Sequence, residues 1–353
     1  MEPVKLNFSH DLALAIDCDN YTPPPNVQIM ERDLAALISY LPKAEISYHP
    51  GAPVWGWDKS HVRYLKRLGY TDLPTPEQLD GIRSLSSRKT AVDVLAGLMQ
   101  HADSLPLIGK SDFVEDANCI ENYLDRLPAI MKEPLSGSGR GLRFIYDRPT
   151  VAQVNWARRC IRQQGGVVIE PYYDKVADFA LEFLSTSQGV EYTGLSVFST
   201  NANNVYSGNL VAPQPALWTR LYEYFNPSVF ADLQQIVLKS LNQICSNKYL
   251  GPLGVDMMVV CEAGKCYIHP CVEINFRRTM GEFSLHLAPL LAPGVEATFS
   301  IVFQKSTDLL RQHLSTLESP RFNTSGQLLS GARILTPLAA QSQYAAILNC
   351  EHN

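Results

Sequence analysis

The sequence lacks any apolar run long enough to cross a bilayer, so no membrane partner is expected. It also lacks an excess of positive charge. Lys and Arg together number 30 against 35 Asp and Glu, a net charge of -5 over 353 residues. Without a general basic surface the chain is poorly suited to a phosphate backbone, and nucleic acid is not an expected partner. The opening MEPVKLNFSHDLALAIDCDN has no basic stretch ahead of an apolar one, so no export signal is read and the cytoplasm is the expected compartment. Cysteine is sparse and scattered, with eight residues, and a reducing compartment predicts free thiols. No internal repeat or low-complexity tract is visible, and no Ser-His-Asp set or nucleophilic cysteine stands out.

What is present is globular in character: 46 % hydrophobic and 18 % charged residues, in a length that suits roughly two domains. Cys261, Cys266 and Cys271 are spaced by five with His269 among them, wider than usual zinc-ligand pairs, and EAGK between the first two predicts a hairpin turn with small buried thiols beside it. VQIMERDLAALISYL has helical apolar spacing, and SHVRYLKRLGY follows as a helix with a serine cap. Helices are predicted in SRKTAVDVLAGLMQHA, CIENYLDRLP, TVAQVNWARRCIRQQGG and VFADLQQIVLKSLNQICSNKYL, and strands in AIMKEP, VVIEPYY, DFALEFL and GPLGVDMMVVCEAGKCYIHPCVEINFR, with a last strand in YAAILNC. HDLALAIDCDNYTPPP and WGWDKSH are read as loop polarity and packing between domains, not as pocket lining.

The stretch IMKEPLSGSGRGLRF could cradle a phosphate. It matches neither the P-loop nor the dinucleotide fingerprint, because its lysine precedes the glycines and the final spacing is missing. Lys132 at a strand end would supply a fixed positive charge. Gly137, Gly139 and Gly141 would let backbone N–H groups turn toward anionic oxygens, with hydroxyls from Ser136 and Ser138. A plain surface turn fits the loop equally well until the second half of the chain is considered. There, GVDMMVV and CVEINFRRTMG place Asp256, Glu273 and Asn275 on adjacent strands. Glu273 and Asn275 are two apart and so share a face. Three oxygen ligands beside phosphates suit Mg²⁺, which keeps several waters and bridges substrate phosphates.

In order and approximate spacing these motifs resemble the ATP-grasp superfamily over about residues 86–300. The resemblance implies two α+β lobes sandwiching ATP over residues 86–310, hinged near 166–174. A small α/β N-terminal domain over 1–85 would precede them, and a C-terminal segment, 311–353, would pack on the core. It implies that Lys132 holds the α- and β-phosphates under the Ser136–Gly141 loop, including Ser136, Gly137, Ser138 and Gly139. Arg88 or Lys89 would be a further phosphate ligand. Glu170 and the Pro171 carbonyl would accept from the exocyclic amine of adenine, the Tyr173 N–H would donate to the ring, and Tyr172 lies in the same strand. Asp178 would hold the ribose, although its distance from Glu170 is one residue longer than the family pattern. Asp256, Glu273 and Asn275 would ligate Mg²⁺, or Mn²⁺ in its place, and Arg277, with Arg278, would steady the transferring phosphate. The implied activity is an ATP-dependent ligase joining a small carboxylate to an amine through an acyl phosphate, with amino acids and peptides among the candidate substrates. A small-molecule kinase and a non-catalytic ATP-binding module are the alternatives.

Overall fold

A computed structural model describes residues 6–41, 54–124, 126–137, 141–201, 205–246 and 248–350. The N-terminal part forms helices α1 (His10–Ile16), α2 (Pro25–Asp33), α3 (Lys59–Arg67) and α4 (Pro76–Leu85). No strand occurs among the described residues of 1–85, which differs from the α/β unit expected there. The physical reason is that these helices do not build a core of their own. Leu6, Leu34, Leu37 and Trp55 join Phe283, Phe299 and Leu348, whereas Trp57, Leu65, Leu79 and Ile82 join the core under the main sheet. Both tryptophans are buried packing residues, as expected.

Two predicted helix details change. The single helix expected in VQIMERDLAALISYL ends at Asp33 and continues as a 3-10 segment, Ala35–Tyr40. Asp33 is buried, and its carboxylate accepts the N–H groups of Gln343 (2.7 Å) and Tyr344 (3.1 Å), a tertiary tie that fixes the helix end. The cap of α3 is Asp58, which accepts from the His61 N–H at 2.9 Å, rather than a serine.

Helix α5 (Arg88–Leu98) leads into a four-stranded antiparallel sheet, β1 (Asp112–Val114), β2 (Ala129–Lys132), β3 (Leu142–Ile145) and β4 (Val167–Pro171), in the order β1-β4-β2-β3. CIENYLDRLP forms a 3-10 segment, Ala117–Tyr123, in place of the expected helix. Helix α6 (Val151–Gln164) starts at a Thr150–Gln153 capping box and stops at Gly165, whose φ of 84° suits glycine. Its Trp156, Ala157 and Cys160 cover one sheet face with Met131 and Ile169, leaving Ile130, Lys132, Val168 and Glu170 on the other.

The second sheet has eight antiparallel strands. The chain runs through β5 (Lys175–Thr186), β6 (Gly189–Thr200) and β7 (Tyr206–Val211), then α7 (Gln214–Tyr222) and α8 (Pro227–Cys245), then β8 (Gly251–Glu262), β9 (Lys265–Asn275) and α9 (Met280–Leu285). It continues with β10 (Ala297–Phe303), α10 (Thr307–Ser315), β11 (Arg321–Phe322), β12 (Leu328–Ser330), β13 (Ala332–Ile334) and β14 (Tyr344–Cys350). The sheet order is β13-β14-β10-β7-β6-β5-β8-β9, with β11 and β12 a separate pair. The last strand is therefore not peripheral: β14 lies between β13 and β10, and the expected break at 310 falls inside α10. Phe179, Leu181, Phe183, Val255, Met257 and Val259 point to one face and pack on α5 and α8, which leaves the opposite face of β5, β8 and β9 for polar groups.

The β8–β9 hairpin turns on Ala263 (φ 50°) and Gly264 (φ 77°), the tight connection expected for EAGK. Cys261 and Cys266 face each other across it as a disulfide, which corrects the expectation of free thiols throughout. Cys18, Cys119, Cys160, Cys245, Cys271 and Cys350 are free. Among the described residues no helix is long and apolar enough to cross a membrane.

Candidate functional site

Strand register assembles one polar face. Glu182 pairs with Gly254 and Gly254 with Asn275; Ala180 pairs with Asp256 and Asp256 with Glu273; Asp178 pairs with Met258 and Met258 with His269. These three rows put Asp256, Glu273 and Asn275 together, as their spacing predicts. Asn275 Nδ2 donates to Asp256 Oδ2 at 3.1 Å. Burial, reinforced by the neighbouring negative charge of Glu273, pushes the Asp256 carboxyl up to about 7. A pair of facing carboxylates in this state favours an added cation. Among the described residues no group of three or more His, Cys, Asp and Glu is placed to hold a metal ion by itself. Two carboxylates and an amide nonetheless fit Mg²⁺, because phosphates and waters usually supply its remaining ligands.

The opposing lobe presents Lys132 from the end of β2. It is buried, and its Nζ lies 2.7 Å from Glu170 Oε2. Glu170 thus partners the candidate phosphate lysine. Ser136 and Gly137 lie at the start of the glycine loop; Ser138 and Gly139 lie outside the described residues. Of the two candidates at the start of α5, Arg88 is the one that reaches the loop. Its Nη1 donates to Glu133 O (2.6 Å) and Ser136 Oγ (2.7 Å), and its Nη2 to Glu273 Oε2 (2.9 Å). Lys89 points outward, with its Nζ 5.0 Å from the Phe113 ring centroid. Helix spacing carried a signal for this choice: Arg88, Ala91, Leu95 and Leu98 form one buried stripe.

Arg277 is part of the polar face, and a partner unforeseen in the sequence holds it. Its Nε donates to Asp11 Oδ1 and its Nη2 to Asp11 Oδ2, both at 2.9 Å. Burial works against an ionised Asp11, but the Arg277 charge prevails and holds the carboxyl well below the usual range. His10 and Asp11 line a small pocket with Ser86, Ser136, Glu273 and Arg277. The reading of this N-terminal stretch as loop polarity is therefore corrected. Arg278 does not share the position of Arg277. It is buried, its Nη1 donates to Glu282 Oε1, and its N–H bonds Trp55 O at 2.8 Å. Sequence reasoning also missed Glu182. This fully buried carboxyl accepts from Ser196 Oγ (2.8 Å) and Thr279 Oγ1 (2.9 Å), and burial, with Asp256 nearby, raises it to about 8.

At the hinge the expected elements are neighbours. Pro171 ends β4, and the Tyr172 N–H is taken by Pro128 O at 2.8 Å. Tyr173 is buried with Met258 and Val260 in an apolar cluster flanked by Ile108 and Val272. His269 stacks edge-on to Tyr173, 5.6 Å between ring centres, and burial pushes its imidazole down to about 4. Asp178 lies one row from the metal candidates and is paired with Lys175 Nζ and Thr200 Oγ1.

The sequence matches no family model and no curated protein. Solved structures do match the fold. The biotin carboxylase–β,γ-ATP complex from Campylobacter jejuni aligns with a TM-score of 0.53 at 13% identity, over 92% of this chain and 74% of its own. Rhizobium etli pyruvate carboxylase aligns at 0.50 and 14% identity over 77% of this chain, which spans 26% of that much longer one. The ADP complex of N5-carboxyaminoimidazole synthetase from Staphylococcus aureus aligns at 0.49 and 15% identity, over 83% of this chain and 74% of its own. Identities this low speak to fold. This chain sets a four-stranded lobe against the polar side of a larger antiparallel sheet, and with that likeness it has the ATP-grasp fold.

Proposed function

We propose that the protein is an ATP- and Mg²⁺-dependent ligase that joins a small carboxylate to an amine. The observation that carries this reading is the register that brings Asp256, Glu273 and Asn275 to one face with Arg277, opposite Lys132 and the glycine loop. The likeness to a biotin carboxylase solved with a nucleotide supports it. Lys132, Arg88 and Ser136 would hold phosphate oxygens, and the apolar cluster around Tyr173 and Met258 would take the base, with Asp178 near the ribose. Glu273, Asp256 and Asn275 would hold Mg²⁺, which when bound neutralises phosphate charge. Arg277 would stabilise charge that grows on the transferred phosphoryl group as the substrate carboxylate attacks it. The acyl phosphate formed would then be opened by the amine, releasing phosphate. Amino acids and peptides are the acids we place first, and the cytoplasm, with its ATP and Mg²⁺, is the compartment.

The test is ADP release from Mg-ATP with a panel of amino acids, dipeptides, small carboxylic acids and bicarbonate, each with hydroxylamine to trap the acyl group. Hydroxamate in proportion to ADP is the expected result. ADP coupled to a stable phosphoester, with no hydroxamate, would replace the ligase with a kinase. ATP binding without turnover across the panel would favour a binding module.

A further inference from the structure

We infer that Asp11 is a positioning residue for the reaction: it holds the guanidinium of Arg277 so that its remaining N–H groups meet the transferring group. The inference rests on the ligase reading and deepens it. Asp11 lies on α1, 266 residues from its partner, and takes the Nε and Nη2 edge of the guanidinium in a two-point contact, each bond 2.9 Å. Nη1 donates once more, to Arg278 O at 3.1 Å. A guanidinium has five N–H groups in a fixed plane. With these three engaged, one N–H on each terminal nitrogen remains to donate to an oxygen of a phosphate or carboxylate.

Two further observations separate positioning from simple adhesion between helix and strand. First, the ion pair is in the pocket itself, whose wall includes Asp11, Arg277, Glu273, Asn275 and Ser136. Second, Gly137, at the start of the glycine loop, packs against it. A Cβ added to Gly137 would lie 2.0 Å from Asp11 Oδ2, so glycine alone fits at this position beside the carboxylate that Arg277 holds. The φ of Gly137 is not in the left-handed region, so the requirement is for space alone. One carboxylate thereby links the N-terminal helix, the phosphate loop and the arginine. An isolated Arg277 could swing on its long side chain, whereas one held at two points presents a single direction.

Five variants test this: Asp11→Asn, Asp11→Glu, Gly137→Ala, Arg277→Ala and the double variant Asp11→Asn/Arg277→Ala. The readouts are Mg-ATP affinity by calorimetry and the rate of hydroxylamine-trapped ADP release with the pooled acids described above. Asp11→Asn should bind Mg-ATP within about threefold of the parent while turnover falls roughly 10- to 100-fold. Gly137→Ala should lower turnover in the same direction, and Asp11→Glu should recover part of it. The double variant should be no slower than Arg277→Ala alone, because both changes remove one arrangement. Parent-like turnover in Asp11→Asn, or losses that multiply in the double variant, would overturn the inference while leaving the ligase reading standing. A parent that releases no ADP with any acid would overturn the ligase reading, and the role of Asp11 with it.

Discussion

Arg88 joins three parts of the molecule, and replacing it by methionine isolates what those contacts contribute. Methionine keeps much of the length and volume, so the cavity contribution stays small. The change removes bonds to Glu133 O at 2.6 Å, Ser136 Oγ at 2.7 Å and Glu273 Oε2 at 2.9 Å. Breaking a buried ion pair costs about 3–5 kcal/mol when the partner is left without compensation. Two facts lower that figure. Glu273 retains 23% of its side-chain exposure, so water screens it, and Arg88 Nε is buried without a hydrogen-bond partner, a cost the variant removes. The expected loss is therefore about 2–3 kcal/mol, or roughly 3–4 °C in melting temperature for a chain of 353 residues. Thermal and urea unfolding of the nucleotide-free protein measure it. A variant that melts within about 1 °C of the parent would refute the reasoning, since the three bonds of Arg88 would then contribute nothing net.

Glu273→Gln removes the repulsion that raises Asp256 but also the partner of Arg88, so unfolding free energy should change by less than about 1 kcal/mol while the Mg²⁺ enhancement of ATP binding disappears; calorimetry with and without Mg²⁺ checks both. Glu182 stays protonated in the fold up to about pH 8 but ionises near 4.5 in the unfolded chain. Between those values the native state holds the extra proton, so stability falls as pH rises, by at most about 1.4 kcal/mol per pH unit from this group. Glu182→Gln should flatten the urea midpoint against pH between about 5 and 8, and an unchanged slope would show that Glu182 is ionised in the fold. A Cβ at Gly281 would lie 2.0 Å from Glu182 Oε1 and 2.3 Å from Ser196 Oγ, so Gly281→Ala should lower stability by about 1–3 kcal/mol in denaturant unfolding.

The parts of the site that depend on strand periodicity were legible in the sequence. Glu273, Asn275 and Asp256 alternate with apolar residues, and the register only had to align them. The same alternation in DFALEFL puts Glu182 on the face of Asp178, a signal that went unread, and its burial depends on contacts with Ser196 and Thr279 that the local pattern does not show. The choice between Arg88 and Lys89 could have been made from the apolar stripe of α5. The role of Asp11 could not, because no local pattern links α1 to a strand end 266 residues later. Nor could the N-terminal architecture be derived from composition: its helices have ordinary amphipathic spacing, and what distinguishes them is that their apolar faces complete cores built mainly by later strands. The end of α2 likewise follows from a distant contact, Asp33 with the start of β14.

The central claim is that a Mg-nucleotide binds between Lys132 and the Asp256–Glu273–Asn275 face. Calorimetric titration with a non-hydrolysable ATP analogue tests it most directly, run with and without Mg²⁺ on the parent and on Lys132→Met and Asp256→Asn. The account predicts binding that strengthens with Mg²⁺ in the parent, loses the Mg²⁺ dependence in Asp256→Asn, and weakens with or without the metal in Lys132→Met by roughly 10- to 100-fold, the equivalent of one charged hydrogen bond. Parent binding that ignores Mg²⁺, or equal affinity in all three proteins, would contradict it.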